Sequence, residues 1–340
     1  MKAVTMERGI LQEAELKDPV PGKGEVLVKS IACGICGSDL HASQHTEDFV
    51  ATSREAGGAF KLTTLNPVVL GHEFCAEIVD YGPNTEKSLA PGSLVCAAPV
   101  LLREPFVSIG YSEETPGGFA EYMLLSEALM VPVPAGTQAE HAALTEPVAV
   151  ALHAIRKASL NGNEEVVIMG CGPVGLAIIT ILKNTFNGKI IASDLSPSRR
   201  SLAEDIGAHQ VVNPIEVSPF SSSHLEKGKQ VIVFECIGVP GILDTIFLEA
   251  PQDSRVVVVG VCIQQDSIRP LIAINKELSM QFVLGWTMEE FSESLQNISE
   301  GIFDVAPLIT KEIGLGQIAE TFKELATPNK NAKVLVKPWQ

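Results

Sequence analysis

Between Glu164 and Asp194 the chain carries the pattern that most restricts its fold. An apolar, β-branched run, Val166-Val167-Ile168-Met169, leads into Gly170-Cys171-Gly172-Pro173-Val174-Gly175. A helix-spaced stretch, Leu176–Lys183, and a second apolar run, Lys189–Ser193, follow, and the latter ends at Asp194. A glycine triplet alone is a weak signal. Here it sits between strand and helix, with an acidic residue 19 positions after the last glycine, and that context predicts a dinucleotide-binding βαβ unit. Gly170, Gly172 and Gly175 permit the turn and let pyrophosphate approach the N–H groups of a helix that Pro173 and Val174 open. Asp194 would accept both ribose hydroxyls and repel a 2′-phosphate, so NAD is expected over NADP. Arg199 and Arg200 are the complication, since arginine accommodates a 2′-phosphate. The bland reading is a structural glycine turn with no ligand.

Strand and helix patterns continue to alternate. Ser196 caps the next helix, Pro197 suits its first turn, Leu202 and Ile206 share a face, and Gly207 stops it. Gln230–Cys236 and Arg255–Val261 are apolar runs of the kind buried on both faces of a parallel sheet. The first 130 residues read differently, as short strands punctuated by Pro and Gly, which predicts a small barrel-like body. Glu140–Lys157 has helix spacing, and residues 42–66 read as a long polar loop, a length usually kept for function. Residues after about 287 return to mixed helix and strand, ending in Lys333–Val336. At 340 residues two domains are expected: 1–150 with 287–340, and 151–286 for the cofactor.

The barrel-like part holds the second constellation. Cys36, Ser38, Asp39 and His41 fall within six residues, between Gly34 and Gly37 on one side and a polar stretch on the other. Gly71-His72-Glu73 follows a strand-like run, and Glu146-Pro147 opens a helix-like one. A lone cysteine is most often a buried thiol and a lone histidine a core or surface residue. Their co-occurrence with Glu146, and with Asp39 and Glu73 as carboxylates behind an imidazole, reverses both priors. One thiolate, one imidazole and one carboxylate, with room for water, is the ligand set of a catalytic zinc.

The formal net charge of −16 argues against nucleic acid or an anionic membrane as partner. Val166–Leu182 is apolar but interrupted by glycines and too short for a span of roughly 20 residues. Seven scattered cysteines and the absence of a leader pattern point to a reducing, cytoplasmic setting. The pair Cys33-x-x-Cys36 has no companion that would make it a redox site.

Taken in order, Cys33–His41, Gly71-His72-Glu73, Glu146-Pro147 and the glycine fingerprint with Asp194 resemble the zinc-dependent medium-chain alcohol dehydrogenases over essentially the whole chain. The Glu-Pro pair resembles the polyol and threonine dehydrogenase branch. The resemblance implies an α/β fold, with a GroES-like catalytic domain and a Rossmann cofactor domain. It implies that Cys36, His72 and Glu146 hold zinc, Glu146 directly or through water, with Glu73 able to exchange in. Asp39 would orient His72, Ser38 would face the substrate alcohol, and His41 would pass its proton to solvent. Cofactor contacts would extend to Ile237, Gly238, Val259, Gly260 and Val261, and the enzyme would be a homodimer or homotetramer. Three departures matter. Residues 97–135 contain no cysteine, so one zinc per chain is expected. The segment between Cys36 and His72 is longer than usual. Gly285 stands where polyol dehydrogenases carry an arginine. The apolar runs Ala97–Leu102 and Val283–Trp286, read as pocket lining, favour a secondary or cyclic hydrophobic alcohol over a polyol or amino alcohol. A zinc-free reductase of the same fold, or a non-catalytic relative that only binds NAD, would lack part of this set.

Overall fold

The two runs that flank the glycine triplet pair as parallel neighbours, Val166 opposite Ile190 and Met169 opposite Ser193. They belong to a six-stranded parallel sheet in a computed structural model that describes residues 1–58, 62, 66–221, 223–327 and 330–340. The strand Glu165–Met169 lies between Ile190–Ser193 and Val231–Glu235, and the strand order reverses at this point. Ligands of open α/β sheets bind outside the carboxyl ends of the strands at such a reversal. Val166, Val167, Ile168, Ile190, Ile191, Val233 and Phe234 are fully buried, as an interior parallel sheet requires. Arg255–Val258 and the edge strand Ser279–Phe282 complete the sheet.

A seven-stranded sheet forms the other body. Its centre is Glu25–Gly34, antiparallel to Glu73–Tyr81, with Gly34 opposite Glu73 and Cys33 opposite Phe74. The C-terminal strand Lys333–Val336 also pairs with it, Leu335 opposite Gly34. This register gathers the start of Glu73–Tyr81, the end of Glu25–Gly34 and Lys333 at one place.

Two expectations are corrected. The stretch 42–66 is not one long loop: helices Gly37–Gln44 and Thr46–Glu55 occupy much of it. Thr46 Oγ1 caps back onto the Ala42 carbonyl, and the second helix buries Phe49 against the core, an apolar anchor hidden in a polar sequence. Residues 59–61 and 63–65 of that stretch lie outside the described residues. Glu140–Lys157 is not one helix either, but Ala139–Ala142 followed by Thr145–Ala158. Pro147 has no N–H, and its ring clashes with the carbonyl four residues back in a helix interior; the restart at Thr145 places it in a first turn. Glu146 is thereby fixed at a helix N-terminus. In the run Ala97–Leu102, expected as pocket lining, Leu102 is exposed. Val100–Leu101 pairs with Val107–Ser108, and Ala97 and Leu101 are buried in the core.

Among the described residues no helix is long and apolar enough to cross a membrane.

Candidate active site

Cys36 ends the strand-to-helix turn, and its backbone N–H donates to Asp39 Oδ2 at 2.9 Å. That bond turns the Asp39 carboxylate inward, where it is fully buried, and leaves Ser38 and His41 on the same short helix. Asp39 Oδ1 lies 3.3 Å from His72 Nδ1, within ion-pair distance but outside hydrogen-bond geometry. Both atoms are buried and unsatisfied. Burial alone would depress the His72 pKa, but Asp39 and Cys36 beside the ring hold it well above the ordinary imidazole value.

One ligand atom each from Cys36, His72 and Glu73 lies within 4.8 Å of the others. A thiol, an imidazole and a carboxylate converging around orphaned buried polar atoms fit a divalent, borderline-soft cation such as zinc. Gly34 makes room for the carboxylate, because a Cβ there would collide with Glu73 Oε2. Glu146 is not part of this tight group. Its Oε1 accepts from the Trp286 indole N–H at 3.0 Å. Burial, reinforced by Glu73, pushes the Glu146 carboxyl above its usual range, against the pull of His72 and the Trp286 bond.

Two residues at the site were not singled out in the sequence, and a third was read there only as pocket lining. Lys333 is buried and donates both to Glu73 and to the Ile35 carbonyl, the latter at 3.1 Å. Tyr111 donates to Ser38 Oγ at 2.7 Å, with its ring centroid 5.0 Å from that of His72. Burial, together with Asp39 and Cys36, raises the Tyr111 phenol well above its ordinary value, so it stays protonated. The third, Trp286, stacks on Phe291 and was expected only as pocket wall. His41 has its pKa lowered by burial and by the neighbouring His45, so the imidazole is neutral and can accept a proton.

At the other sheet, Pro173 opens the helix Pro173–Thr185, with Val174 beside it and Gly172 at its N-cap. Gly170 adopts φ +97°, and a Cβ on Gly175 would collide with the Gly170 carbonyl. A Cβ on Gly172 would meet nothing within 4 Å, which leaves open the approach that a pyrophosphate would need. Asp194 accepts from the N–H groups of Cys171 at 2.8 Å and Ser196 at 2.7 Å, which fixes its carboxylate beside the glycine turn. Arg199 is turned to the Asn331 carbonyl at 3.0 Å, and Arg200 to the Asp194 and Leu195 carbonyls. Ile237 and Gly238 follow the strand Val231–Glu235, and Val259, Gly260 and Val261 follow Arg255–Val258. A residue not singled out in the sequence, Glu235, ties them: its buried carboxylate accepts from Ile237 and Gly238 N–H, and its carbonyl from Val259 and Gly260.

Comparison with known proteins identifies the family. Residues 22–135 match the alcohol dehydrogenase GroES-like domain, and residues 173–300 the zinc-binding dehydrogenase domain. The (R,R)-butanediol dehydrogenase of Bacillus subtilis (strain 168) is 32% identical over 337 residues, 95% of each chain. The sorbitol dehydrogenase of Bos taurus is 27% identical over 94% of this chain and 90% of its own. A crystal structure of 2R,3R-butanediol dehydrogenase from Bacillus subtilis superposes with a TM-score of 0.83 at 29% identity, covering 99% of both chains. The chain therefore belongs to the zinc-dependent medium-chain alcohol dehydrogenases, in their polyol-type branch, and is an NAD-linked alcohol oxidoreductase.

Proposed function

We propose that this enzyme interconverts a secondary or cyclic, largely hydrophobic alcohol and its ketone, using Cys36, His72, Glu73 and Glu146 as the zinc-binding set. The convergence of Cys36, His72 and Glu73 carries this reading. A zinc ion held there supplies the Lewis acidity that lowers an alcohol's pKa, and NAD supplies the hydride acceptor. The chain's own residues do the rest. Asp39 holds His72 in orientation, and Lys333 offsets the charge of Glu73. The Trp286 indole holds one oxygen of Glu146, which leaves the other for the metal or for a bridging water. Ser38 takes the alcohol proton and His41 accepts it further out, as a neutral imidazole.

The preference for a carbon-rich substrate is supported by Tyr111, Phe49 and Trp286 around this set and by Gly285 with its lack of a polar side chain. A vicinal diol or polyol is the second reading, favoured by the similarity to butanediol and sorbitol dehydrogenases. Asp194 and the engaged Arg199 and Arg200 favour NAD over NADP. We further infer a division into 1–150 with 287–340 for catalysis and 151–286 for the cofactor, the helix Thr145–Ala158 spanning the first junction. A homodimer or homotetramer is supported by the edge strand Ser279–Phe282, paired on one side only among the described residues, with Leu271, Ile274, Phe282 and Leu284 exposed around it. The reduced thiols support a cytoplasmic setting.

The test is NADH formation from cyclohexanol, 1-phenylethanol, 2,3-butanediol and sorbitol, repeated after zinc chelation and with Cys36→Ala. The expected result is highest kcat/KM on the cyclic or aryl secondary alcohols, loss of turnover on chelation, and retained NADH binding by Cys36→Ala. Turnover that survives complete zinc removal overturns the metal set, and a preference for sorbitol overturns the substrate class.

A further inference from the structure

Ser38 carries the one hydroxyl beside the proposed metal set on the helix Gly37–Gln44, and a hydroxyl rotor has no fixed direction of its own. Here it is held. Tyr111 Oη lies 2.7 Å from Ser38 Oγ with the phenol as donor, at the short end for an O–H···O bond. A phenol is a stronger acid than an aliphatic alcohol, so the shared hydrogen belongs to Tyr111. The ring is itself fixed, 4% exposed and packed between His72 and Phe49 at centroid distances of 5.0 and 5.7 Å. A serine hydroxyl donates one hydrogen and accepts two. With one lone pair occupied by Tyr111, Ser38 retains one lone pair and its own hydrogen.

We propose that Tyr111 is a positioning residue for proton transfer: by donating to Ser38 it leaves that hydroxyl one lone pair for the substrate proton and aims its hydrogen along the path toward His41. The inference rests on the reading of Ser38 and His41 as the proton relay. During oxidation the alcohol O–H bond breaks and a new O–H bond forms on Ser38. The original Ser38 O–H bond breaks at the same time and its proton moves on toward His41. Tyr111 keeps its own proton, and Ser38 ends neutral. Nothing but the phenolic hydroxyl takes part, so Tyr111→Phe, which preserves ring volume against His72 and Phe49, removes the effect without opening a cavity.

The experiment measures kcat, KM and the solvent deuterium isotope effect with cyclohexanol and 2,3-butanediol, for the full-length enzyme, Tyr111→Phe, Ser38→Ala and the double variant. Zinc content and melting temperature are measured alongside. Tyr111→Phe is expected to lower kcat roughly tenfold, the loss of one oriented hydrogen bond, with KM for alcohol and NAD within about twofold. Its solvent isotope effect on kcat should rise, with zinc content and melting temperature unchanged. Ser38→Ala should lower kcat about 100-fold, and adding Tyr111→Phe to it should cost nothing more. An unchanged kcat and isotope effect in Tyr111→Phe, with Ser38→Ala impaired, overturns the role of Tyr111 and leaves the relay standing. So does an equal loss from Tyr111→Phe in both backgrounds, because the effect would not pass through Ser38. Full activity in Ser38→Ala overturns the relay reading itself.

Discussion

Lys333 Nζ donates to the carboxylate of Glu73, and both side chains are 1% exposed. Burial alone would pull the ammonium's pKa down, yet Glu73, Cys36 and Glu146 hold it above the ordinary lysine value. A fixed cation thus sits behind a group of acidic side chains that would otherwise repel one another. The Glu73 carboxylate is held by this contact and lies beside Cys36 and His72.

Removing that cation should be costly. Lys333→Met leaves Glu73 buried without a counter-charge, and breaking a buried pair from one side costs about 3–5 kcal/mol. Urea unfolding with zinc removed from both proteins should show this loss, and Glu73→Leu added to Lys333→Met should recover much of it. A loss below about 1 kcal/mol would mean that water already compensates the carboxylate. Because the folded pKa is raised, the contribution of the pair is complete below the unfolded lysine value of 10.5 and fades as pH climbs through the folded one.

Gly34 makes a sharper test of the metal set. A methyl group there meets the Glu73 carboxylate, and the neighbouring strands leave the backbone no direction in which to yield. Gly34→Ala is expected to displace Glu73, lower zinc stoichiometry and cut kcat at least tenfold, while NADH binding at the distant glycine turn is unaffected. Metal analysis and NADH fluorescence titration check the two halves. Full zinc occupancy with normal kcat would show that Glu73 is dispensable to the site.

How far the site could be read from the sequence follows from the range of its interactions. The glycine turn, Asp194 and the Ser196 cap obey local rules of spacing, and the structure places the turn inside one βαβ unit, Asp194 at its end and Ser196 at the start of the next helix. Cys36, Ser38, Asp39 and His41 were legible for the same reason. Lys333 lies 260 residues from Glu73, Trp286 140 from Glu146 and Tyr111 73 from Ser38. Such pairs are created by strand register and domain packing, which no short window contains. The helix Thr46–Glu55 was missed because a mostly polar run hides its anchor, Phe49. The broken helix was legible in principle, since Pro147 forbids a continuous one.

The lowered pKa of His41 has a kinetic consequence. Only the neutral imidazole accepts the relayed proton, and burial with His45 nearby places its protonation below the ordinary value of 6.5. Alcohol oxidation should therefore hold its rate as pH falls to 6.5 and decline only below it. His41→Gln should lower kcat by about 10²-fold at neutral pH and abolish that acidic limb. A limb centred well above 6.5 that His41→Gln removes would mean the imidazole is not depressed in the working enzyme.

Asp194 bears on cofactor choice through two jobs at once. Its carboxylate holds the N–H groups of Cys171 and Ser196, so a glycine there would loosen the turn as well as remove the charge. Asp194→Asn removes the charge and keeps one of the two accepting oxygens, so it disturbs the turn less than a glycine while its amide NH2 gives up one of the two bonds. Charge repulsion between a carboxylate and a 2′-phosphate at contact is worth roughly 1–3 kcal/mol at a partly screened surface. The ratio of kcat/KM for NAD to that for NADP should accordingly fall about 10–100-fold in Asp194→Asn. Steady-state kinetics with both cofactors decide the matter, and an unchanged ratio would mean that Asp194 serves the turn and does not read the ribose.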